Sequence, residues 1–349
     1  MKIDILDKKY EEKYEDFLLR SEKSLFFVSN KYRLFLKELL KAKDCYFLAV
    51  DDNDNITGAL PAFLKENEKH GNVLNSLPFY GSNGGIIEYE NNVEVKKTLL
   101  NALYDYAKEN NCVSTTIITS PFEDNPDFYE ENALYNYKDS RIGQLTPLPE
   151  VSDNIGDDLF KMFDGTKRTD IRKAIKHNLQ VNSEYSRDSL EFLMNTHKEN
   201  MLSINGTPKT EEFFEFIPSY FEYEKDYKIY TAFLSENPIS TMLVFYYNKT
   251  AEYFCPAVVE EYRTYQGLSL LIFEAMKDAV KKDCKWWNWG GTWSSQCGVY
   301  DFKKKWGTQD FPYYYYVRVF DEKIKTLSKK TLLKEYPNFY VLPFSALKQ

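Results

Sequence analysis

Hydrophobic and polar positions alternate in two blocks that share one plan. The stretch DCYFLAVDDNDNITGALPAFLKEN (44–67) holds two apolar, β-prone runs around a cluster of Asp and Asn, which predicts strand, turn, strand. Far downstream, DYKIYTAFLSENPISTMLVFYYNKT (226–250) repeats it with SENP as the turn, and a third strand, AEYFCPAVV, follows. Each hairpin leads to a long amphipathic segment. NVEVKKTLLNALYDYAKENNC (92–112) sets Val95, Leu99, Leu103 and Tyr106 at helical spacing. GLSLLIFEAMKDAVKKDC (267–284) does so with Leu268, Leu271, Ile272, Ala275, Met276 and Ala279. A strand-like run follows each helix, VSTTIITSPF in the first half and KWWNWGGTW in the second. Hairpin, helix and strand in the same order twice predict a duplicated α/β domain.

The join falls near 145–155, where TPLPEVSDNIGDD combines two prolines, a glycine and acidic residues. Domains are therefore expected over 1–150 and 151–349. The second half opens on three helical stretches, IGDDLFKMFDGTKRTDIRKAIKHN, DSLEFLMNTHKENM and TEEFFEFIPSYFEY. A last one, KTLLKEYPNFYVLPFSAL, is broken by Pro337 and is free to pack back on the first domain.

Composition narrows the function classes. The 349 residues are enough for a sizeable core, and 28 tyrosines with 25 phenylalanines suit both cores and wide clefts. Lys and Arg number 45 against 53 Asp and Glu, a net charge of −8. Nucleic-acid binders usually carry the opposite balance, so DNA is not an expected partner and any tRNA contact must be local. The N-terminus, MKIDILDKKYEEKYEDF, is polar and acidic where a signal peptide needs an apolar centre. No apolar run approaches the roughly 20 residues that span a bilayer. A cytoplasmic location is expected, with peripheral membrane contact left open. Five scattered cysteines without a C-x-x-C pair read as reduced thiols, mostly in the core. His70, His177 and His197 lack metal-ligand spacing, so no metal is expected, and neither a Cys–His nor a Ser–His nucleophile is evident.

Four segments carry candidate chemistry. In EYRTYQGLSLLIFEAM (261–276) a polar turn with Gln266 and Gly267 opens a helix after a strand. It is either an ordinary helix start or a phosphate seat, with Arg263 to supply charge. In GTKRTDIRKAIKHN (165–178), Arg168, Arg172 and Lys176 recur at i, i+4, i+8 and share a helix face. That face is either simply solvated or a dock for a polyanion. In PFYGSNGGIIEYE (78–90), Tyr80 and Gly84 mark a loop where backbone could approach a ligand or simply turn tightly. In NWGGTWSSQCGVYDFKKKWG (288–307), Gly290 and Gly291 end a Trp-rich strand and a short helix from Val299 to Trp306 closes on Gly307. Helix geometry splits Lys303, Lys304 and Lys305 by about 100° each, so Lys303 can face a cleft while the others face water.

In order and spacing, TKRTDIRKAIKHNL, EYRTYQGLSLLIFEAMKDAVKKDCKWWNWGGT and GVYDFKKKWG resemble the second domain of FemABX-type transferases, within the GNAT-like acyltransferases. The resemblance covers roughly 160–320, and more loosely the first half through ITGALPAFL and SLPFYGSNGGII. It implies an α/β (α+β) fold of two tandem GNAT-like domains, mixed sheets flanked by helices, with a cleft in or between them. It also implies acyl transfer to an amine of a cell-envelope precursor. The donor is aminoacyl-tRNA in one branch, with a peptidoglycan precursor as acceptor. In others it is acyl-CoA, with an amino sugar of a surface polysaccharide. Phe302 and Lys303 match the family's Phe-Lys pair, Lys303 placed to stabilise the reacting ester or its phosphates. Gly290 and Gly291 then line the channel and Tyr300 forms a wall. The CoA loop Q/R-x-x-G-x-G/A is altered here, with Thr264 three positions before Gly267 and Ser269 two after. NTHKENMLSING lacks the arginine that holds a nucleotide-sugar phosphate in some members. A non-catalytic module binding tRNA or a glycan through 165–178 remains the reading from a different class.

Overall fold

The computed structural model describes residues 1–79, 83–293 and 295–347. The chain forms two compact units, Met1–Ile142 with Pro312–Gln349, and Gly143–Phe311. These boundaries differ from 1–150 and 151–349 because the C-terminal segment belongs to the first unit. Tyr315–Val319 pair antiparallel with Ile118–Ser114, so a strand from the chain's end extends the first unit's sheet.

In the first unit, Lys2–Ile5, Phe47–Val50 and Ile56–Leu60 form a three-stranded antiparallel sheet. The run 44–67 is divided further than its pattern predicts. The hairpin strand stops at Leu60, before Pro61, and Phe63–Lys65 starts a separate strand. Proline has no N–H to give a ladder, which explains the break. Phe63–Lys65 pairs antiparallel with Asn72–Asn75, which runs parallel to Cys112–Ile118. The crossover is the helix Val93–Glu109. Asn92 caps it, accepting from Glu94 N at 3.1 Å and Val95 N at 3.2 Å. Its stripe of Val95, Leu99, Leu100 and Leu103 is buried against the sheet's apolar face. The final helix, Lys329–Glu335, ends before Pro337, and Tyr336 OH donates to Gly71 O at 2.7 Å within the same unit.

The second unit repeats the plan. Gln180–Asn182, Tyr227–Leu234, Asn237–Tyr247 and Thr250–Val258 make an antiparallel meander. The helix Gly267–Lys281 then crosses to Trp286–Thr292, which lies parallel to Thr250–Val258. Before the meander come Ile155–Met162, Gly165–Lys176, Arg187–Ser203 and Glu211–Tyr220, close to the expected helices. Leu271, Ile272, Met276 and Ala279 are fully buried and share a core with Trp287, Trp289 and Trp306. Among the described residues, no helix is long and apolar enough to cross a membrane.

Candidate functional site at the parting strands

Two parallel strands separate in the middle of the second unit. Thr250, Ala251 and Glu252 pair with Trp286, Trp287 and Asn288, and the register goes no further among the described residues although both strands continue. Each strand is bent near this point. Cys255 has φ 42°, beside a register shift between Thr241 and Leu243 on the neighbouring strand. Gly290 has φ 71°, a backbone state that glycine adopts without strain. A Cβ on Gly290 would meet nothing within 4 Å, so its backbone, not crowding, selects glycine there. Asn288 Oδ1 holds the turned strand by accepting from Gly290 N at 2.9 Å.

Lys303 is tied to this strand end. It lies on the helix Cys297–Lys304, and its Nζ donates to Gly290 O at 3.3 Å, Gly291 O at 3.2 Å and Thr292 Oγ1 at 2.9 Å. Thr292 Oγ1 donates onward to Gln144 Oε1 at 3.0 Å, and Gln144 Nε2 donates to Tyr300 O at 3.2 Å. Lys303 is 6% exposed, more enclosed than a lysine facing an open cleft, whereas Lys304 and Lys305 face solvent. Among the described residues no carboxylate pairs with it. Burial therefore pushes its ammonium down to about 8, because removing a charge from water favours the neutral amine. Three neutral oxygens orient the cation without cancelling its charge, which leaves it attractive to an anion.

Phe302 packs edge-on against Trp289, with centroids 6.1 Å apart, and Lys167 Nζ lies 5.1 Å from its ring centre. It thus helps fix the helix that carries Lys303. Tyr300 OH donates to Asp310 Oδ2 at 2.6 Å.

The remaining candidates sit elsewhere in their units. Arg263 is exposed and pairs with Glu260 at 2.7 Å. Gln266, with φ 64°, precedes the first residue of its helix, Gly267, whose Cβ would come within 2.5 Å of Ser240 Oγ. Both line a cavity of about 290 Å³ together with Arg263, Asn200 and Ser269. Arg168 and Arg172 line another of about 500 Å³ with Lys161, Asp157 and Asp158. Lys176 is exposed on the same helix but does not line that cavity. In the first unit Gly84 packs against Leu77, where a Cβ would approach Leu77 Cγ to 2.5 Å. Tyr80 lies outside the described residues.

Glu252 was not singled out from the sequence. It is 2% exposed, its Oε1 meets no partner among the described residues, and burial raises its carboxyl to about 8, with Asn288 offsetting part of the rise. Its only signal in AEYFCPAVV is a charge inside an apolar strand, which reads equally well as a solvent-facing position. The folded-state value lies above the ordinary carboxyl value of 4.5, so between these values the folded chain keeps a proton that the unfolded chain loses. Stability from this group is full below about pH 4.5 and is lost as pH rises to about 8. In Glu252→Gln, the fall in melting temperature between pH 5 and pH 8 is expected to shrink relative to the unaltered protein. An unchanged fall would place the proton elsewhere.

Residues 194–311 match the sequence model of the FemAB family, a span that contains both parting strands and Lys303. The fold of the chain resembles the crystal structure of FemX at TM-score 0.74, with 13% identity, covering 93% of this chain and 98% of that one. It also resembles the C-terminal domain of a putative lysylphosphatidylglycerol synthetase from Agrobacterium fabrum (TM-score 0.59, 13% identity, 93% and 96% covered). A tandem GNAT protein from the clavulanic acid biosynthesis pathway matches at TM-score 0.54, with 9% identity and 91% and 98% covered. No curated protein matches the chain. Among the described residues no cluster could hold a metal ion.

Proposed function

We propose that the protein is a cytoplasmic N-acyltransferase that moves an acyl or aminoacyl group from an activated donor to an amine of a cell-envelope precursor. The observation that carries this reading is the buried Lys303 cation, bound to Gly290 O, Gly291 O and Thr292 Oγ1 where two parallel strands part. In the proposed reaction the amine nitrogen attacks the donor carbonyl carbon. A C–N bond forms, the ester or thioester bond breaks, and the amine's proton ends on the departing hydroxyl or thiol. Negative charge passing through the carbonyl oxygen is stabilised by the nearby positive charge of the Lys303 ammonium. Alignment of the two substrates supplies the rest. Phe302 and Tyr300 position the helix, and Gly290 and Gly291 form the channel floor. No covalent nucleophile is needed.

Two donors fit. Arg168, Arg172 and Lys176 give a local basic face for aminoacyl-tRNA, as in a peptidoglycan-directed enzyme. The cavity at Gln266 and Gly267 gives a helix N-terminus for the phosphates of acyl-CoA, as in an N-acetyltransferase acting on an amino sugar. Thermal shift with acetyl-CoA and with aminoacyl-tRNA, followed by turnover on amine acceptors, separates them. Stabilisation by tRNA that disappears in Arg168→Ala/Arg172→Ala favours the first; stabilisation by acetyl-CoA favours the second. Binding of either without transfer to any amine acceptor would leave a non-catalytic module.

A further inference from the structure

The first unit contains a cavity of about 620 Å³ that the reaction above does not use. An oppositely charged pair sits in its wall. Lys96 is on the first turn of the helix Val93–Glu109, beside the apolar stripe of Val95, Leu99 and Leu100. Glu123 follows the strand Cys112–Ile118, in a turn where its Oε1 accepts from Asn125 N at 3.1 Å. The side chains are 7% and 10% exposed, and Lys96 Nζ stands 3.6 Å from Glu123 Oε1. Lys96 Nζ also lies 5.6 Å from the centre of the Phe128 ring.

Burying two ions costs several kcal/mol unless each is closely paired and hydrogen-bonded. A direct ammonium–carboxylate hydrogen bond spans about 2.7–2.9 Å, so this pair stops short of one. Burial holds the Glu123 carboxyl above its ordinary value, and Lys96 offsets that only in part. Both ions therefore keep hydrogen-bonding capacity beside an open cavity. Charges of both signs also meet at the rim, where Lys23 Nζ binds Asp124 Oδ1 at 2.5 Å and Arg20 and Glu88 line the wall. A polyanion or a simple cation finds no matching field there.

We propose that this cavity is a binding site for a free α-amino acid, its carboxylate received by Lys96 and its ammonium by Glu123. An α-amino acid carries its two charges at a separation close to that of the Lys96–Glu123 pair. It can lie antiparallel across the pair and turn one loose contact into a ring of four alternating charges. The cavity leaves room for a side chain. The loop that the sequence marks through Gly84 contributes its neighbours Asn83 and Gly85 to the lining, and Asn83 is itself buried, with its amide donating to Thr119 O at 3.1 Å.

The test is calorimetric titration of the full chain with L-alanine, D-alanine, L-glutamate, L-lysine and L-phenylalanine, beside ethylamine and propionate as singly charged analogues. At least one amino acid is expected to saturate, with both analogues at least tenfold weaker. Lys96→Met/Glu123→Gln, which removes both charges at similar volume, is expected to lose binding at least tenfold. The analogue comparison needs no variant, so it decides even if the double substitution unfolds the chain. Equal binding by a singly charged analogue, retained binding in a folded double variant, or no saturation by any of the five amino acids overturns the proposal. None of these readouts depends on acyl transfer.

Discussion

Lys303→Met is expected to lower acyl-transfer turnover at least about tenfold, roughly 1.4 kcal/mol of transition-state stabilisation, while the protein stays folded. The substitution keeps the aliphatic stem against the helix and removes only the ammonium bound to Gly290 O, Gly291 O and Thr292 Oγ1. Activity of the unaltered protein should fall as pH rises through about 8, where the buried ammonium gives up its proton. Stability changes with the opposite sign. The folded value lies below the ordinary lysine value of 10.5, so the cost of burying the charge is full below about pH 8 and is relieved as pH rises towards 10.5. Lys303→Met should lose both the alkaline fall in activity and the alkaline gain in stability. Near-unaltered turnover in a folded Lys303→Met would reject the catalytic role and leave Lys303 as a clamp between helix and strand.

The largest effect on stability is expected at Trp306. Its side chain is 0% exposed, edge-on to Phe163 at 5.0 Å and tilted on Trp289 at 5.7 Å between centroids. Thr146 Oγ1 ties its backbone oxygen at 3.1 Å and accepts in turn from Trp289 Nε1 at 2.9 Å. Trp306→Ala should cost about 3–5 kcal/mol, the range for emptying a buried aromatic site. The indole N–H finds no acceptor among the described residues, so Trp306→Phe sheds an unpaired donor along with some volume. Urea denaturation should therefore show a loss in Trp306→Phe of less than half that in Trp306→Ala. Equal losses would mean that the indole's polar edge carries the stability, contrary to the geometry. Because the Trp306 ring also packs on Phe302 at 6.4 Å between centroids, Trp306→Ala should loosen the helix end that presents Lys303.

The helical periods of 92–112 and 267–284 were sufficient to place Val93–Glu109 and Gly267–Lys281. Both helices show one apolar stripe, and periodicity is a local property of the chain. Gly290 and Gly307 were legible for the same reason, since positive φ values of 71° and 76° constrain residue type at a single position. The unit boundary was not. TPLPEVSDNIGDD looks like a linker, but pairing of Tyr315–Val319 with Ser114–Ile118 joins segments separated by more than half the chain, and strand pairing has no signature in local composition.

The candidate site divides in the same way. Sequence spacing separated Lys303 from Lys304 and Lys305, because successive helical residues point in different directions. It could not show that Lys303 is enclosed, held by three oxygens and, among the described residues, without a carboxylate partner. Glu252 and Lys96 are charged residues whose neighbours in sequence suggest an exposed position or a helix face, yet both are buried. By itself the sequence determined the main elements, their repetition and, at Gly290 and Gly307, two positions where backbone geometry favours glycine. Tertiary structure alone decided which charges lose water and which partners meet them. Desolvation depends on everything packed around a group, and for Glu252 and Lys96 the partners that meet them, Asn288 for one and Glu123 and Phe128 for the other, stand on separate segments of the chain.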